Sequence, residues 1–392
     1  MAENGMSIDL NQVVQTALSD FENVQLVSEK NDKEDDRQVL ADVKTSGENL
    51  NLVIKLGKGV NVAEGFQREA YVLNRVTPLF KDIQKYLRIK NPVQEFQKCY
   101  KVFNQEGTEI IVLDDIEKRG FEAVSGDLSE HNFKLILNTI AKFHALSFAL
   151  RHIHKEKFDE VLSNCQVVTK TMLAEVAQFF DARLEKLKFS LKLRMRLDLL
   201  KNFEDALENF NGRSIIDILN QSVEHSVLVH GDYHQNNTLL KFAGQDKTHA
   251  IDVALTGFQA SGLHSPVIDL SYYFFSSLGC GFFPNVSEFL KYYYEQLTSF
   301  LKELGCDVAQ IYTFEKLQQH WQQYSFYGFC LSIAYLELGS INFEKHFRKE
   351  NEESSEVEKP AVGAPNVASA NAYRQKLEKI VEFFLEAQQE FY

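Results

Sequence analysis

The chain has 392 residues, a formal net charge of −13, 44% hydrophobic residues and 31 phenylalanines. That length exceeds one ordinary core and suits two lobes or domains, and the acidic balance argues against nucleic acid as a partner. It does not exclude a nucleotide, whose phosphates can be held locally by backbone amides, a lysine and a metal ion. The stretch Met1-Ala2-Glu3-Asn4-Gly5 has neither a basic start nor an apolar segment, and the longest apolar run, near 270–283, is broken by serines and glycines. Cys99, Cys165, Cys280, Cys306 and Cys330 form neither a CxxC pair nor a disulfide framework. The expectation is a cytoplasmic protein with no secretory signal and no membrane span.

Residues 9–20 carry apolar positions at helical spacing. Strands are expected at 24–27 and 38–43 around a charged turn, and at 51–56, with Lys55 near the end of the third. A helix follows at 66–76, then a closing pair of strands at 96–103 and 109–113. From there the pattern turns helical, at 131–151 and 172–210, with short strands at 227–229, 238–242 and 249–255. Helices return from Asp269 onward, at 286–304, 314–338 and 372–391. Residues 345–370 hold a charge run and then Pro360, Gly363 and Pro365, the composition of a mobile loop. The architecture predicted is α+β: a small β-rich N-lobe at 1–113, a hinge at 114–118 and a large, mainly helical C-lobe at 119–392.

The stretch richest in chemistry is His230-Gly231-Asp232-Tyr233-His234-Gln235-Asn236-Asn237, which follows the apolar Val227-Leu228-Val229. An aspartate with an asparagine five residues on is the catalytic-loop spacing of phosphoryl transfer. There the carboxylate accepts the proton of the acceptor hydroxyl and the asparagine holds magnesium on the ATP phosphates. A rival reading uses the alternation of His230, Asp232 and His234, which on an extended strand would face one way. They would then bind a metal as a hydrolase does, with Asp252 or His264 as a further ligand. Lys55 on a strand and Glu69 in the next helix suit a phosphate-reaching lysine and the carboxylate that holds it. Leu113-Asp114-Asp115-Ile116 reads either as a hinge whose backbone contacts adenine or as a capped turn. Asp269 reads as a buried carboxylate that accepts hydrogen bonds from the catalytic-loop backbone, and His144 as a packed core histidine. Gly57, Gly59 and Gly65 lack the GxGxxG spacing and read as a plain loop. The turn at 28–37 has no glycine and five acids, so its backbone approaches phosphates poorly and its carboxylates repel them. The aromatic run Tyr272-Tyr273-Phe274-Phe275, with Phe282 and Phe283, suits core packing better than a lipophilic pocket.

Taken together, Lys55, Phe66-Gln67-Arg68-Glu69, Phe143-His144-Ala145-Leu146-Ser147, His230-Gly231-Asp232 and Ser265-Pro266-Val267-Ile268-Asp269-Leu270 resemble the insect ecdysteroid-kinase-like (CHK kinase-like) family. That family is related to choline kinases and aminoglycoside phosphotransferases. The resemblance implies a bilobal protein-kinase-like fold and ATP with magnesium as cofactors. It implies Lys55 on the α- and β-phosphates, Glu69 positioning Lys55, Asp232 as base, Asn237 on the metal, and His230 and Asp269 in structural roles. The substrate implied is a small lipophilic, steroid-like hydroxyl compound. One departure stands out: where the family has Asp-Phe-Gln, this chain has Gly257-Phe258-Gln259, and aligning Asp252 instead breaks the register. The expectation is a phosphotransferase of weakened activity. The alternative is a catalytically impaired pseudokinase whose cleft binds a ligand or partner.

Overall fold

The structure is a computed structural model. It describes residues 8–31, 38–57, 64–93, 96–105, 107–123, 127–162, 165, 170–194, 196–209, 215–221, 223–278, 282, 284–338 and 367–389. Residues 32–37 of the acidic turn and 345–366 of the expected mobile loop lie outside the described residues. The chain divides into two compact units. One comprises Met1–Glu122, Leu239–Asp246 and Ile251–Gln259; the other comprises Ala123–Thr238, Lys247–Ala250 and Ala260–Tyr392.

The first unit begins with α1 (Leu10–Ala17), started by Asp9, whose carboxylate accepts from the N–H groups of Asn11 and Gln12. Five strands follow in one antiparallel sheet: β1 (Gln25–Asn31), β2 (Gln38–Lys44), β3 (Asn49–Gly57), β4 (Cys99–Gln105) and β5 (Thr108–Asp114). Their spatial order is β1-β2-β3-β5-β4. Alternation along β3 decides what each face carries. Leu50, Leu52, Ile54 and Leu56 pack with Val13, Val14, Ala17 and Leu18 of the α1 segment. Lys55 therefore projects from the opposite face, opposite Ile111 in the β3–β5 register.

The helix expected at 66–76 is longer and broken. It runs as α2 (Glu64–Tyr71), a wider π-type turn at Val72–Val76, and α3 (Thr77–Tyr86). Pro78 gives the physical reason, because it has no N–H to offer the preceding turn, and the chain relaxes there without ending the helix. Beyond β6 (Phe121–Ala123) come β7 (Val227–Val229), β8 (Thr238–Phe242), β9 (Ala250–Leu255) and β10 (Gly262–His264). β8 and β9 join β6 in a three-stranded sheet around Ile116, Phe121, Leu239 and Ala254, which brings these later residues into the first unit.

The second unit is mainly helical: α4 (Glu130–Ile153), α5 (Lys155–Leu162), α6 (Lys170–Leu193), α7 (Leu197–Asn209), α8 (Ile215–Asn220), α9 (Val267–Ser276), α10 (Val286–Glu303), α11 (Val308–Ile311), α12 (Phe314–Leu338) and α13 (Val367–Gln389). By length and composition α4 could cross a bilayer, which the sequence reading did not anticipate, but 78% of its apolar window is buried inside the protein. α9 is the core of the unit. Its residues Val267 to Phe275 are all buried. α12 packs directly on it, because a Cβ at Gly328 would lie 2.2 Å from the Ser271 carbonyl carbon. Phe275, Trp321, Phe329 and Phe384 then close around the contact, with Phe329 and Phe384 ring centres 4.3 Å apart. Each buried ring contributes about 2 kcal/mol by area.

Two histidines in this core set an acid limit. Burial lowers His264 to about 4 and His320 to about 3. His264 Nε2 lies 2.8 Å from the Ile218 carbonyl, and His320 Nδ1 lies 2.9 Å from both the Ser265 and Tyr312 hydroxyls. Both imidazoles are neutral in the fold and protonate near pH 6.5 once unfolded. Their contribution is complete above that pH and is lost as pH falls toward 4 and then 3. Urea titrations should show stability dropping between pH 7 and 5, each imidazole adding up to about 1.4 kcal/mol per pH unit. An unchanged midpoint across that range would mean both rings are hydrated in the folded state.

Candidate active site

In the first unit, Lys55 Nζ lies 2.9 Å and 3.0 Å from the two carboxylate oxygens of Glu69. The Glu69 side chain is 1% exposed and that of Lys55 is 14% exposed. An ion pair this buried adds little net stability, since both charges lose their water. Its value is geometric: it fixes an ammonium on the face of β3 opposite α1. The same helix holds the segment after β9. Arg68 Nη1 donates to the Gln259 carbonyl at 2.6 Å, and Gln259 Nε2 lies 3.4 Å from Glu69 Oε2. Phe258 is buried against Phe96. Gly257, immediately before Phe258, has φ +78°, a left-handed conformation that glycine adopts freely and aspartate adopts at a cost of about 1 kcal/mol.

Asp114 and Asp115, which read either as a hinge contacting adenine or as a capped turn, make their hydrogen bonds within their own unit. The Asp114 N–H donates to the Lys98 carbonyl at 2.9 Å, and its carbonyl accepts from Gln97 Nε2 at 2.9 Å. The Asp114 carboxylate accepts from the Lys98 N–H and pairs with Arg119 at 2.8 Å. The Asp115 N–H donates to the Asn51 carbonyl at 2.8 Å, and its carboxylate accepts from the N–H groups of Glu117 and Lys118. The geometry is that of a capped strand end, and both backbone donors are spent before any base arrives.

The second unit contains the loop after β7. The backbone N–H of His230 donates to Asp269 Oδ2 and that of Gly231 to Oδ1, both at 2.7 Å. His144 Nε2 lies 3.0 Å from Asp269 Oδ2, and His144 Nδ1 lies 2.9 Å from the Tyr293 hydroxyl. One tautomer satisfies the chain: the Tyr293 O–H donates to Nδ1 and the Nε2–H donates to the carboxylate, with no charged imidazole required. Tyr327 Oη donates to the Gly231 carbonyl at 2.9 Å, Ser261 Oγ to the His230 carbonyl at 3.1 Å, and the Leu228 N–H to Ser147 Oγ at 2.8 Å. Gly231 has φ +83°, and a Cβ there would lie 2.0 Å from the Ala260 carbonyl oxygen, so only glycine fits.

The loop then turns Asp232 into a held carboxylate. Asn237 Nδ2 donates to the Asp232 carbonyl at 2.8 Å and to Oδ2 at 2.9 Å. Both partners only accept, so the amide nitrogen must face them, and the carbonyl oxygen of the same amide is the atom left for a cation. His234 Nδ1 accepts from the Asn236 N–H at 3.2 Å, which puts the neutral ring's proton on Nε2, 3.4 Å from Asp232 Oδ1. That is a long contact, and Oδ1 is buried, with the Tyr272 hydroxyl also turned toward the carboxylate. Burial alone would raise the carboxyl. The charge and hydrogen bond of His234, the charge of His230 and the Asn237 amide outweigh it and hold Asp232 below its ordinary value.

The hydrolase reading of His230, Asp232 and His234 is overturned. β7 ends at Val229 and Gly231 is left-handed, so the three residues do not alternate on a strand. Among the described residues no three of His, Cys, Asp or Glu gather closely enough to hold a metal ion.

Comparison with known proteins bears on family and fold. A model of the ecdysteroid kinase-like family matches residues 18–306. The chain belongs to the ecdysteroid kinase-like family. No curated protein matches it. Among solved structures it is similar to a spectinomycin phosphotransferase in complex with ADP and spectinomycin, at 13% identity and TM-score 0.38, covering 96% of this chain and 98% of that one. It is similar to an ethanolamine kinase of Plasmodium vivax at 14% identity and TM-score 0.39, covering 91% and 81%. An aminoglycoside phosphotransferase, APH(4)-Ia, matches at 12% identity and TM-score 0.38, covering 96% and 99%. Likenesses this distant do not bear on residue roles. The family model and the observed division into a β-rich and a helical unit accord with the expected kinase-like α+β fold and with a kinase-like phosphotransferase.

Asp114 gives this region a measurable signature. Burial pushes its carboxyl up to about 6, against the hydrogen bond from Lys98 and the charge of Lys81. The folded state therefore holds the proton more tightly than the unfolded chain, and this group favours folding more as pH falls from 6 to 4. Carboxyl NMR should show Asp114 titrating near pH 6. A midpoint at or below 4 would show that the Arg119 ion pair outweighs burial.

Proposed function

We propose that this protein is an ATP-dependent phosphotransferase acting on a hydroxyl of a small lipophilic, steroid-like molecule, with a metal set one carboxylate short. The observation that carries the reading is the Asp232 carboxylate at the five-residue spacing, oriented by the Asn237 amide and held below its ordinary value, so that it is ionised and able to accept a proton. The alcohol proton passes to the Asp232 carboxylate as the alcohol oxygen bonds to the γ-phosphorus, and ADP leaves with the electron pair of the broken bond.

Lys55, held by Glu69, supplies the ammonium for the α- and β-phosphates. Asn237 contributes its side-chain carbonyl to magnesium, which when bound neutralises charge on the phosphates. The metal fit is incomplete, because Gly257 brings no carboxylate where the family has one. Magnesium takes few protein ligands, so losing one weakens the site. Cys99, Cys165, Cys306 and Cys330 are free, in keeping with a cytoplasmic setting.

Gly257 also favours a second reading, a pseudokinase that retains the fold to bind a ligand or partner. A thermal-shift titration separates the two. Mg-ATP should raise the wild-type midpoint little, and Gly257→Asp should enlarge that shift while slightly lowering the unliganded midpoint through its left-handed φ. A large wild-type shift abolished by EDTA would remove the case for a pseudokinase.

Turnover supplies the complementary test. Over a panel of steroid and other lipophilic alcohols, Asp232→Asn should cut phosphorylation by about 10²–10⁴-fold. Equal turnover by that variant would refute the base assignment.

A further inference from the structure

The first unit carries an open cavity of about 380 Å³ beside the last turn of α3, walled by Lys81, Lys85 and Arg88 and by Ile89, Pro92 and Val93. That volume is in the range of small-molecule sites. Its frame is tied together by the buried Gln84. The Gln84 Nε2 donates to the Phe80 and Val93 carbonyls, both at 3.1 Å, and its Oε1 accepts from the Val93 N–H at 2.7 Å.

The helix end beside the cavity has an unusual occupant. The Ile89 N–H donates to the Gln84 carbonyl at 3.0 Å and the Arg88 N–H to the Lys85 carbonyl at 3.2 Å, the pairing of a Schellman turn. Arg88 takes its left-handed position, with φ +53°, where glycine is the ordinary residue. A guanidinium is thus kept at the cavity against the preference of the backbone.

Charge points the same way. Between Thr77 and Val93 the sequence has Lys81, Lys85, Arg88 and Lys90 against Asp82 alone, in a chain of net charge −13. Among the described residues no carboxylate lies within ion-pair distance of Lys81, Lys85 or Arg88. Asp114 attracts Lys81 but is already paired with Arg119 at 2.8 Å, while Arg119 and Lys98 repel the same ammonium. Burial is the largest influence on Lys81 and lowers it from its ordinary value. Solvation and the negative end of α3 account for the exposed Lys85 and Arg88. They do not account for Lys81, half-buried in a wall that supplies no counter-charge.

We infer that this cavity binds a phosphomonoester carried on an apolar group, its phosphate on Lys81, Lys85 and Arg88 and its carbon chain along Ile89, Pro92 and Val93. A phosphomonoester brings close to two negative charges and three terminal oxygens, enough for three separate cationic donors. The apolar wall selects for a hydrocarbon carrier over the free ion. The assignment is independent of the phosphotransferase reading.

The test uses the full chain and two forms of the ligand, octyl phosphate in solution and vesicles of phosphatidylcholine containing phosphatidic acid. Calorimetry should show saturable binding of octyl phosphate, at least 10-fold tighter than inorganic phosphate. Lys81→Met and Arg88→Gly should each weaken it about 10-fold, the loss of one charge-assisted contact. Arg88→Gly should keep or raise the melting midpoint, since glycine suits that φ, so weaker binding there is not misfolding. Lys55→Met should leave octyl phosphate affinity unchanged; a loss would place the ligand at the β3 lysine and overturn the assignment. Vesicle binding lost in Arg88→Gly, without binding of octyl phosphate, would assign the site to a membrane lipid headgroup. Octyl phosphate binding without vesicle binding would assign it to a free phosphomonoester. Equal affinity for octyl and inorganic phosphate, affinities unchanged in both cavity variants, or no binding of either form would overturn the inference.

Discussion

The constraint on which the second unit depends is the burial of one carboxylate, Asp269, at the start of α9. Its side chain is fully buried and accepts from two consecutive backbone N–H groups, those of His230 and Gly231, and from His144. An ionised group in that position is tolerable only because its lone pairs meet aligned donors. The consequence runs in both directions. The loop cannot turn elsewhere without stranding the charge, and α9 cannot shift without losing the loop. Gly231 is the conformational counterpart, because bringing two successive N–H groups onto one carboxylate takes a left-handed residue where a Cβ would meet the Ala260 carbonyl.

From that anchor the rest of the loop follows by local chemistry. The five-residue spacing from Asp232 to Asn237 lets the asparagine amide return to the aspartate and bond both its carbonyl and one carboxylate oxygen. His234 is oriented by the Asn236 N–H without closing on Oδ1. The result is a buried carboxylate oriented by the asparagine amide, with His234 beside it. The first unit shows a similar economy: alternation along β3 sends the leucines and isoleucine to α1 and Lys55 to Glu69.

Much of this was legible in the sequence because it rests on short periods. Strands at 227–229 and 238–242 and the helix at 314–338 follow from hydrophobic runs with clear ends, and Lys55 from its place in an alternating strand. What the pattern hid depends on packing between distant segments. His144 read as core; it is core and also holds Asp269, while Ser147, three residues on along α4, holds the Leu228 N–H. The signal was available: two polar side chains on the same turn of an otherwise apolar helix need partners. Asp114 and Asp115 left two readings open because an acidic pair at a strand end fits both a ligand contact and a cap, and the observed backbone pairing is that of a cap. The alternating His230, Asp232 and His234 misled for a different reason: one glycine ends the strand alternation, and sequence spacing does not show its φ.

The integrity of the loop is weaker evidence for catalysis than it looks, and the reason is energetic. Every bond that shapes it is internal to the second unit: Asp269 to the backbone, Asn237 to Asp232, Tyr327 and Ser261 to carbonyls. None of these needs magnesium, so a chain that holds no metal would keep them all. The loop would keep this geometry in an enzyme and in a relative that only binds.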